Sequence, residues 1–579
     1  MNNYVSTEKS LKRWLKSRVK ITLATVVGFL IAGTVTFGAM ADGSYTNDTL
    51  INEVGSTKFI KGQNGNLIIN TNGSVGTLLR DLQANHNSIE QIIGCFGLQD
   101  DAGKNAIVVG AVAGEGKLNT FPGSIISGVE GSAGTDYFTK LAKGLNRINT
   151  LGKKDVGEED RTESKSTNTV IGDKNSPVVI GLVGGDLALG TGNLFEQAPE
   201  EKLTINKNGS STVTINNGNV FLGSAGSSAV SLGNIGVLDF KVNGSAETTI
   251  NENTTLNIGT KENPSKANAA GLTAGGIAAA IGGTAVTNVN GNSTININSK
   301  VNSEQLEGIT TGLFGGGMAV STLGGKAEAN TKRITNVEIN NGLSVGVAGG
   351  GLAVSTDASQ WLEDETPDGT TTIKKFINIS GLNDGGTSTV KSGNINVNLK
   401  GTTAAAGVLG NGIAVSHQNA PQGKAPAETD KISTSTVEAN DITVNVDLEK
   451  KIDGKYISDN KVIGKIGTLL GQLKNIADPK VGTDVDEVIG SMKEVVEVLK
   501  GRDKDGKETG GGIVVGLGGN GVAVARDKGV SEVTAKNIEM NLKSGYIVGV
   551  AGNGIASGNA SSTVKADSSV ININGAERS

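Results

Sequence analysis

Few residues in this sequence have the type and spacing that chemistry requires. GLGGNG at 516–521 has the G-x-G-x-x-G form, whose glycines let a backbone approach a pyrophosphate when they join a strand to a helix. No helical periodicity follows it, and the sibling segments GVAGNG and GVLGNG lack the middle glycine. These glycines therefore read as structural. GAVAGEGKL at 110–118 resembles a phosphate-binding loop, but Ala111 and Leu118 occupy positions where such a loop needs Gly and Ser or Thr. RDKDGKE at 502–508 sets Asp503, Asp505 and Glu508 around Gly506. A calcium loop needs further oxygen ligands and a distant glutamate, so this reads as a charged turn.

The two histidines, His86 and His417, read as surface residues, and no G-x-S-x-G elbow accompanies them. The single cysteine, Cys95, lies in the apolar segment IIGCFGL and reads as a small core residue. Two His and one Cys cannot build a usual zinc site. The expectation is a protein without catalytic, cofactor-binding or metal-binding residues, and hence not an enzyme.

The elements around these residues are unusual. Glycine supplies 86 of 579 residues, about twice ordinary usage, and aromatics only 3%. A core built on Phe, Tyr and Trp is thus excluded. The glycines show no three-residue period and only eight prolines are present, which excludes collagen. With 36% hydrophobic residues in patterned runs, the chain is not a disordered one.

Residues 1–41 read as a signal peptide. Lys9, Lys12, Arg13, Lys16, Arg18 and Lys20 precede an apolar run from Ile21, which ends in Ala39-Met40-Ala41, a small-x-small cleavage site. Its strongly apolar part, Ile21 to Ala32, is shorter than the ~20 residues that span a bilayer. Without this segment the chain keeps 46 basic and 56 acidic residues, a net charge of −10. That sign gives no general attraction for nucleic acid.

A nonapeptide recurs in the remainder: GLFGGGMAV at 312–320, GVAGGGLAV at 346–354, GVLGNGIAV at 407–415, GLGGNGVAV at 516–524 and GVAGNGIAS at 549–557, with looser copies at 181–189 and 271–279. The tightest spacings are 34 and 33 residues, a period typical of stacked repeats. Between the copies lie alternating segments such as STVTINNG at 211–218 and STININ at 293–298, the period-2 pattern of a half-buried strand. Asn-Gly pairs such as Asn341-Gly342 supply turns. The nonapeptide has no polar face and reads as a strand covered on both sides. Stacking such units buries one continuous core. The expected fold is all-β: a Gly-rich β-solenoid with short helical insertions and an N-terminal mixed α/β region.

Helical spacing appears at 76–96, 136–151 and 462–500, and charged stretches at 153–166 and around Trp361 to Thr372 read as solvated linkers. The expected division is a signal peptide (1–41), a mixed region with two helical segments and a linker (42–175), a repeat region (176–446), a protruding helical hairpin insertion (447–510) and a second repeat region (511–579).

The basic start SLKRWLKSRVK followed by ITLATVVGFLIAGTVTFGAMA resembles the extended signal peptides of large autotransporter (type V secreted) surface proteins, and the Gly/Asn/Thr repeats resemble their passengers. That resemblance implies an elongated passenger at the cell surface or outer membrane, or released outside the cell, commonly an adhesin and sometimes a toxin. The sequence stops at INGAERS after a repeat strand, without the alternating strands and aromatic girdles of a membrane barrel. The translocator is then expected in trans or in a C-terminal region missing from this sequence. An open last strand, SVININ at 569–574, is expected to self-associate or to continue in a longer chain.

Three functions remain: a structural or adhesive surface module binding glycans or proteins on host or bacterial cells, a secreted toxin or effector, and a polysaccharide-acting solenoid enzyme. The first is favoured. The leader makes its own prediction: the exported protein begins at Asp42, as N-terminal sequencing would show, whereas membrane-bound protein starting at Met1 would refute it.

Overall fold

In the computed structural model the residues described are 58–61, 65–69, 107–114, 116–119, most of 166–448, parts of 453–508 and most of 511–574. The signal peptide, the helical segments at 76–96 and 136–151 and the linker at 153–166 lie outside them. The alternating segments form strands that coil in stacked turns. Each strand pairs in parallel with its counterpart one turn earlier and one turn later. One turn has four sides. In the turn spanning residues 268–298 these are Asn268–Thr273 (side I), Ile277–Ile281 (side II), Thr284–Val289 (side III) and Ser293–Asn298 (side IV). In the next turns sides III, IV and I run together as Lys326–Ala348 and Thr387–Leu409. Strands as early as Lys58–Lys61, Asn66–Ile69 and Ile107–Val112 pair into the same sheets, so the coil reaches into the 42–175 region.

Register makes the core. Alternation sends one parity of side IV inward, and parallel pairing stacks like on like. Ile69, Ile171, Ile215, Ile258, Ile297, Ile339, Leu399, Val446 and Leu542 form one such column, fully buried along its length. Against it packs side I, through Val179, Leu182, Leu272, Leu313, Val347, Val408 and Leu517. The opposite lobe, between sides II and III, is thin. Its side II column is alanine at every described turn from Ala188 through Ala229, Ala278, Ala319, Ala353, Ala414 and Ala523 to Ala556. An aliphatic lobe and an alanine lobe together need no aromatic residue. In the last described turn the inward residues Val550, Val564, Ile571 and Ile573 are exposed.

The nonapeptide is not one strand. Its first three residues end side I, its middle three turn a corner, and its last three begin side II, as in 346–348, 349–351 and 352–354. Each glycine has a different reason. The first sits in the left-handed region, with φ 66° at Gly271, 59° at Gly312, 67° at Gly346, 65° at Gly407, 72° at Gly516 and 70° at Gly549. A Cβ at Gly346 would meet nothing nearer than 3.7 Å, so backbone conformation is the constraint there. Leu222 occupies this column at φ 56°. The corner glycines are constrained by contact instead. A Cβ on Gly351 would lie 2.6 Å from the Gly317 carbonyl oxygen, and one on Gly350 would strike the Asn411 side chain.

These corners carry the hydrogen-bond ladder round the bend. Gly185 donates to Gly226, Gly226 to Gly275, Gly275 to Gly316 and Gly316 to Gly350, each at 3.0 Å. Later corners put Asn at the middle position. Asn411 Nδ2 donates to Asn520 Oδ1 at 3.2 Å and Asn520 Nδ2 to Asn553 Oδ1 at 3.3 Å, while each oxygen accepts from the following glycine N–H. A side-chain amide ladder thus accompanies the change from Gly to Asn at this position in the later turns.

Two expectations are corrected. The stretch around Trp361 to Thr372 is no linker but joins an antiparallel hairpin of Ser359–Glu365 and Thr372–Asn378, with Trp361 across from Phe376 and Glu363 across from Lys374. Opposed aromatic and charged positions are what a cross-strand pairing selects. The helical insertion does not simply protrude. Val498, 5% exposed, packs in a cluster with Ile309, Leu343, Ala404, Ile513 and Tyr546 on the outer surface of side I, joined by Tyr456 of the short helix Gly454–Asp459. Those outward apolar residues need a cover, and the root of the insertion supplies it.

The two kinds of glycine separate in stability measurements. Gly346→Ala should cost about 1–2 kcal/mol of left-handed strain, less a few tenths from the stiffer unfolded chain. Gly350→Val should cost more than about 3 kcal/mol, since backbone must move. Leu222→Gly should be near neutral, because relieved strain offsets lost burial of similar size. Denaturant midpoints of the three variants check this order.

Candidate binding face

The motifs singled out above are dispersed by the fold. GLGGNG at 516–521 is the end of strand Ile513–Gly518 and a corner leading into strand Val522–Ala525, so its glycines serve stacking. Gly110 of the 110–118 segment holds the same left-handed column, at φ 86°. Asp503 is used by its own turn: its Oδ1 accepts from the N–H groups of Asp505 at 3.0 Å and Lys507 at 2.9 Å, and Arg502 pairs with Glu508 at 3.5 Å. His417 ends strand Ile413–His417, paired with Thr356. His86 and Cys95 lie outside the described residues. Among the described residues, none of these motifs is brought to another.

One ionic pair is buried that sequence reading missed. Lys207, at an inward position of side III, lies 4.0 Å from Asp186 at the corner of GLVGGDLAL, with side chains 0% and 3% exposed. In the next turn the same positions hold Ile250 and Ser227. The Asp186 N–H donates to Ser227 Oγ at 3.0 Å. Desolvation pulls the Lys207 pKa below its ordinary value, and the Asp186 carboxylate opposes that pull. Alternation alone signals the pair: Leu203, Ile205 and Lys207 share one parity. Enclosed by packed turns, it orders the core and reaches no ligand.

What faces outward is a broad polar sheet. Side IV presents alternating Thr, Asn and Glu, and its second rank runs through Thr214, Asn257, Asn296, Glu338, Asn398, Asn445, Asn541 and Asn572 in unbroken register. The amides hydrogen-bond along the coil: Asn296 Nδ2 to Asn257 Oδ1 at 2.9 Å, Asn398 to Glu338 at 2.6 Å, Asn445 to Asn398 at 2.8 Å, Asn541 to Asn445 at 3.0 Å and Asn572 to Asn541 at 2.8 Å. Every donor points toward the earlier turn. Side III continues the surface with Glu247, Thr249, Asn288, Glu328 and Asn330, and a parallel set of amide bonds joins Asn330 to Asn288 at 3.1 Å and Asn288 to Glu247 at 3.1 Å.

A laddered amide that bonds only along its column, such as Asn296 or Asn445, spends one N–H on the earlier turn and keeps the second for a ligand, whereas Asn541 and Asn288 place further donor contacts on Glu539 and Thr249. With turns ~4.8 Å apart, the face offers a fixed, repeating row of donors and acceptors that costs little ordering entropy to use. Such a row suits an extended ligand rich in hydroxyl or amide groups. No protein-family model, curated protein or solved structure matches this chain, so function is inferred from these residues.

Breaking the buried pair and replacing it should differ in sign. Asp186→Ser alone strands an ammonium in the core and should cost about 3–5 kcal/mol, while Lys207→Ile with Asp186→Ser copies the next turn and should be neutral or stabilising by about 1–4 kcal/mol. The single variant should regain stability as pH rises, because a lysine whose folded pKa lies below its unfolded value binds more protons unfolded in that window. Denaturation of both variants at pH 7 and pH 10 tests this.

Proposed function

We propose that the protein is an exported, non-catalytic surface module of the autotransporter-passenger type, a Gly-rich β-solenoid that binds glycan or protein ligands through the outer face of sides III and IV. The register-locked Asn and Thr rows of that face carry the reading: they give a long array of partly satisfied amides and hydroxyls on a rigid support. The basic and apolar leader with its Ala39-Met40-Ala41 end supports export, and a translocator in trans or in a longer chain would complete the route. Stacking adds length turn by turn, which sets the binding face away from the membrane. Host cells and sister bacteria are the partners this places within reach, and nucleic acid is disfavoured by the net charge of −10 after the leader.

Beads carrying residues 42–579 should attach to host cells or to bacteria of the producing strain, and excess soluble protein should compete. Absence of attachment together with lysis of host cells by soluble protein would move the assignment to a secreted toxin.

A further inference from the structure

Most turns pass from side III to side IV through short polar residues: 208–210 is Asn-Gly-Ser, 251–253 is Asn-Glu-Asn and 290–292 is Asn-Gly-Asn. The turn of Lys326–Ala348 differs. Its joint carries Lys332 and Arg333, both exposed, and its pairing to the next turn slips between Thr331 and Ile334. The next turn crosses the same point with Gly393, where a Cβ would strike the carbonyl oxygens of Lys332 and Arg333. Bulges of this kind re-aim side chains. The result is a groove of about 380 Å³, lined among others by Asn288, Glu328, Asn330, Lys332, Lys391 and Asn440. That volume falls at the lower end for small-ligand sites.

The amide ladder of side III stops in this groove. Asn330 Nδ2 donates back to Asn288, but its register neighbour in the next turn is Lys391 rather than another amide. Asn330 Oδ1 is shielded from solvent, so what Asn330 offers the groove it lines is its second N–H. Around it the charges are uneven. Glu328 is paired with Lys326, and Lys391 rests 3.8 Å from Glu438. Lys332 has no carboxylate partner among the described residues.

We propose that this groove is a subsite for an acidic sugar residue, a hexuronate within a glycan chain. Its carboxylate sits between the Lys332 and Lys391 ammonium groups, a neighbouring hydroxyl accepts from the second N–H of Asn330, and Asn440 meets the next hydroxyl. A neutral sugar lacks the charge, and sulfate lacks the neighbouring hydroxyls. This subsite rests on the surface-binding reading above and gives it a ligand class.

The test is calorimetric titration of the 42–579 chain with an oligomer of alternating hexuronate and N-acetylhexosamine, with the same oligomer after reduction of its carboxylates to alcohols, and with sodium sulfate. The acidic oligomer should bind at least about tenfold more tightly than the reduced one, as a charged hydrogen bond predicts. Lys332→Gln with Lys391→Gln should abolish that difference while leaving the strand signal in circular dichroism unchanged. Asn330→Leu should weaken the acidic oligomer and leave sulfate unaffected. Equal binding of the two oligomers, indifference to the lysine double variant, or sulfate competing as well as the oligomer would each overturn the subsite. Bead attachment distinguishes the two failures. Attachment that persists in the double variant without hexuronate binding removes the subsite alone, whereas lack of attachment by the unsubstituted chain removes the surface-binding reading.

Discussion

Close approach of backbone at the corner between sides I and II is the constraint on which the rest of the coil depends. A Cβ at Gly315, Gly350 or Gly410 would meet the corner of the neighbouring turn, and where these columns are not glycine they hold compact residues such as Ala225, Ala274 and Asn411, so that successive corners hydrogen-bond to each other. Spacing between turns is then the spacing of a parallel sheet all the way round the bend. Sides I and IV stack their aliphatic columns at that spacing, and side II comes near enough to side III that alanine fills the gap. A β-branched or aromatic residue at a corner where backbone lies that close would force the turns apart locally.

The outer face inherits its order from the inner one. Because Ile258, Ile297 and Ile339 are stacked on one parity, Asn257, Asn296 and Glu338 are stacked on the other. A one-residue slip would exchange the two sets, burying amides and exposing isoleucines. Hydrophobic burial therefore fixes the geometry of the polar rows, while the amide bonds between turns add modest further stability, each about 1 kcal/mol. Position of the groove follows the same logic in reverse: the ladder can be broken locally at Thr331 to Ile334 because the turns on either side hold register.

Strand alternation was legible in sequence because it is a local pattern, and so was the repeat. The nonapeptide was harder. Its letters show low polarity on both parities, which fits a covered strand and a tight corner equally well, and only turn-to-turn contact separates the two. Leu222 in a left-handed position was invisible to motif searching, since it is an exception within a column that exists only after stacking, whereas Lys207 was missed although its parity with Leu203 and Ile205 turns it inward. The hairpin at 359–378 was hidden by its charge, which reads as solvation until Glu363 is seen opposite Lys374. The binding face was half legible: Thr and Asn were evident on the outer parity, but not that side III joins side IV, nor that the joint bulges at Lys332 and Arg333.

Among the described turns from Thr167 onward, extra sequence enters this coil at two of its four junctions. The corner between sides I and II keeps three residues, and the joint between sides III and IV stays short. The hairpin at 359–378 leaves between sides II and III, and the helical insertion leaves between sides IV and I. A backbone cut in either insertion would interrupt no ladder of the coil itself. The coil would persist as a nicked object whose pieces remain held by every turn above and below, so covalent continuity along the chain and mechanical continuity along the axis are separate properties of this molecule.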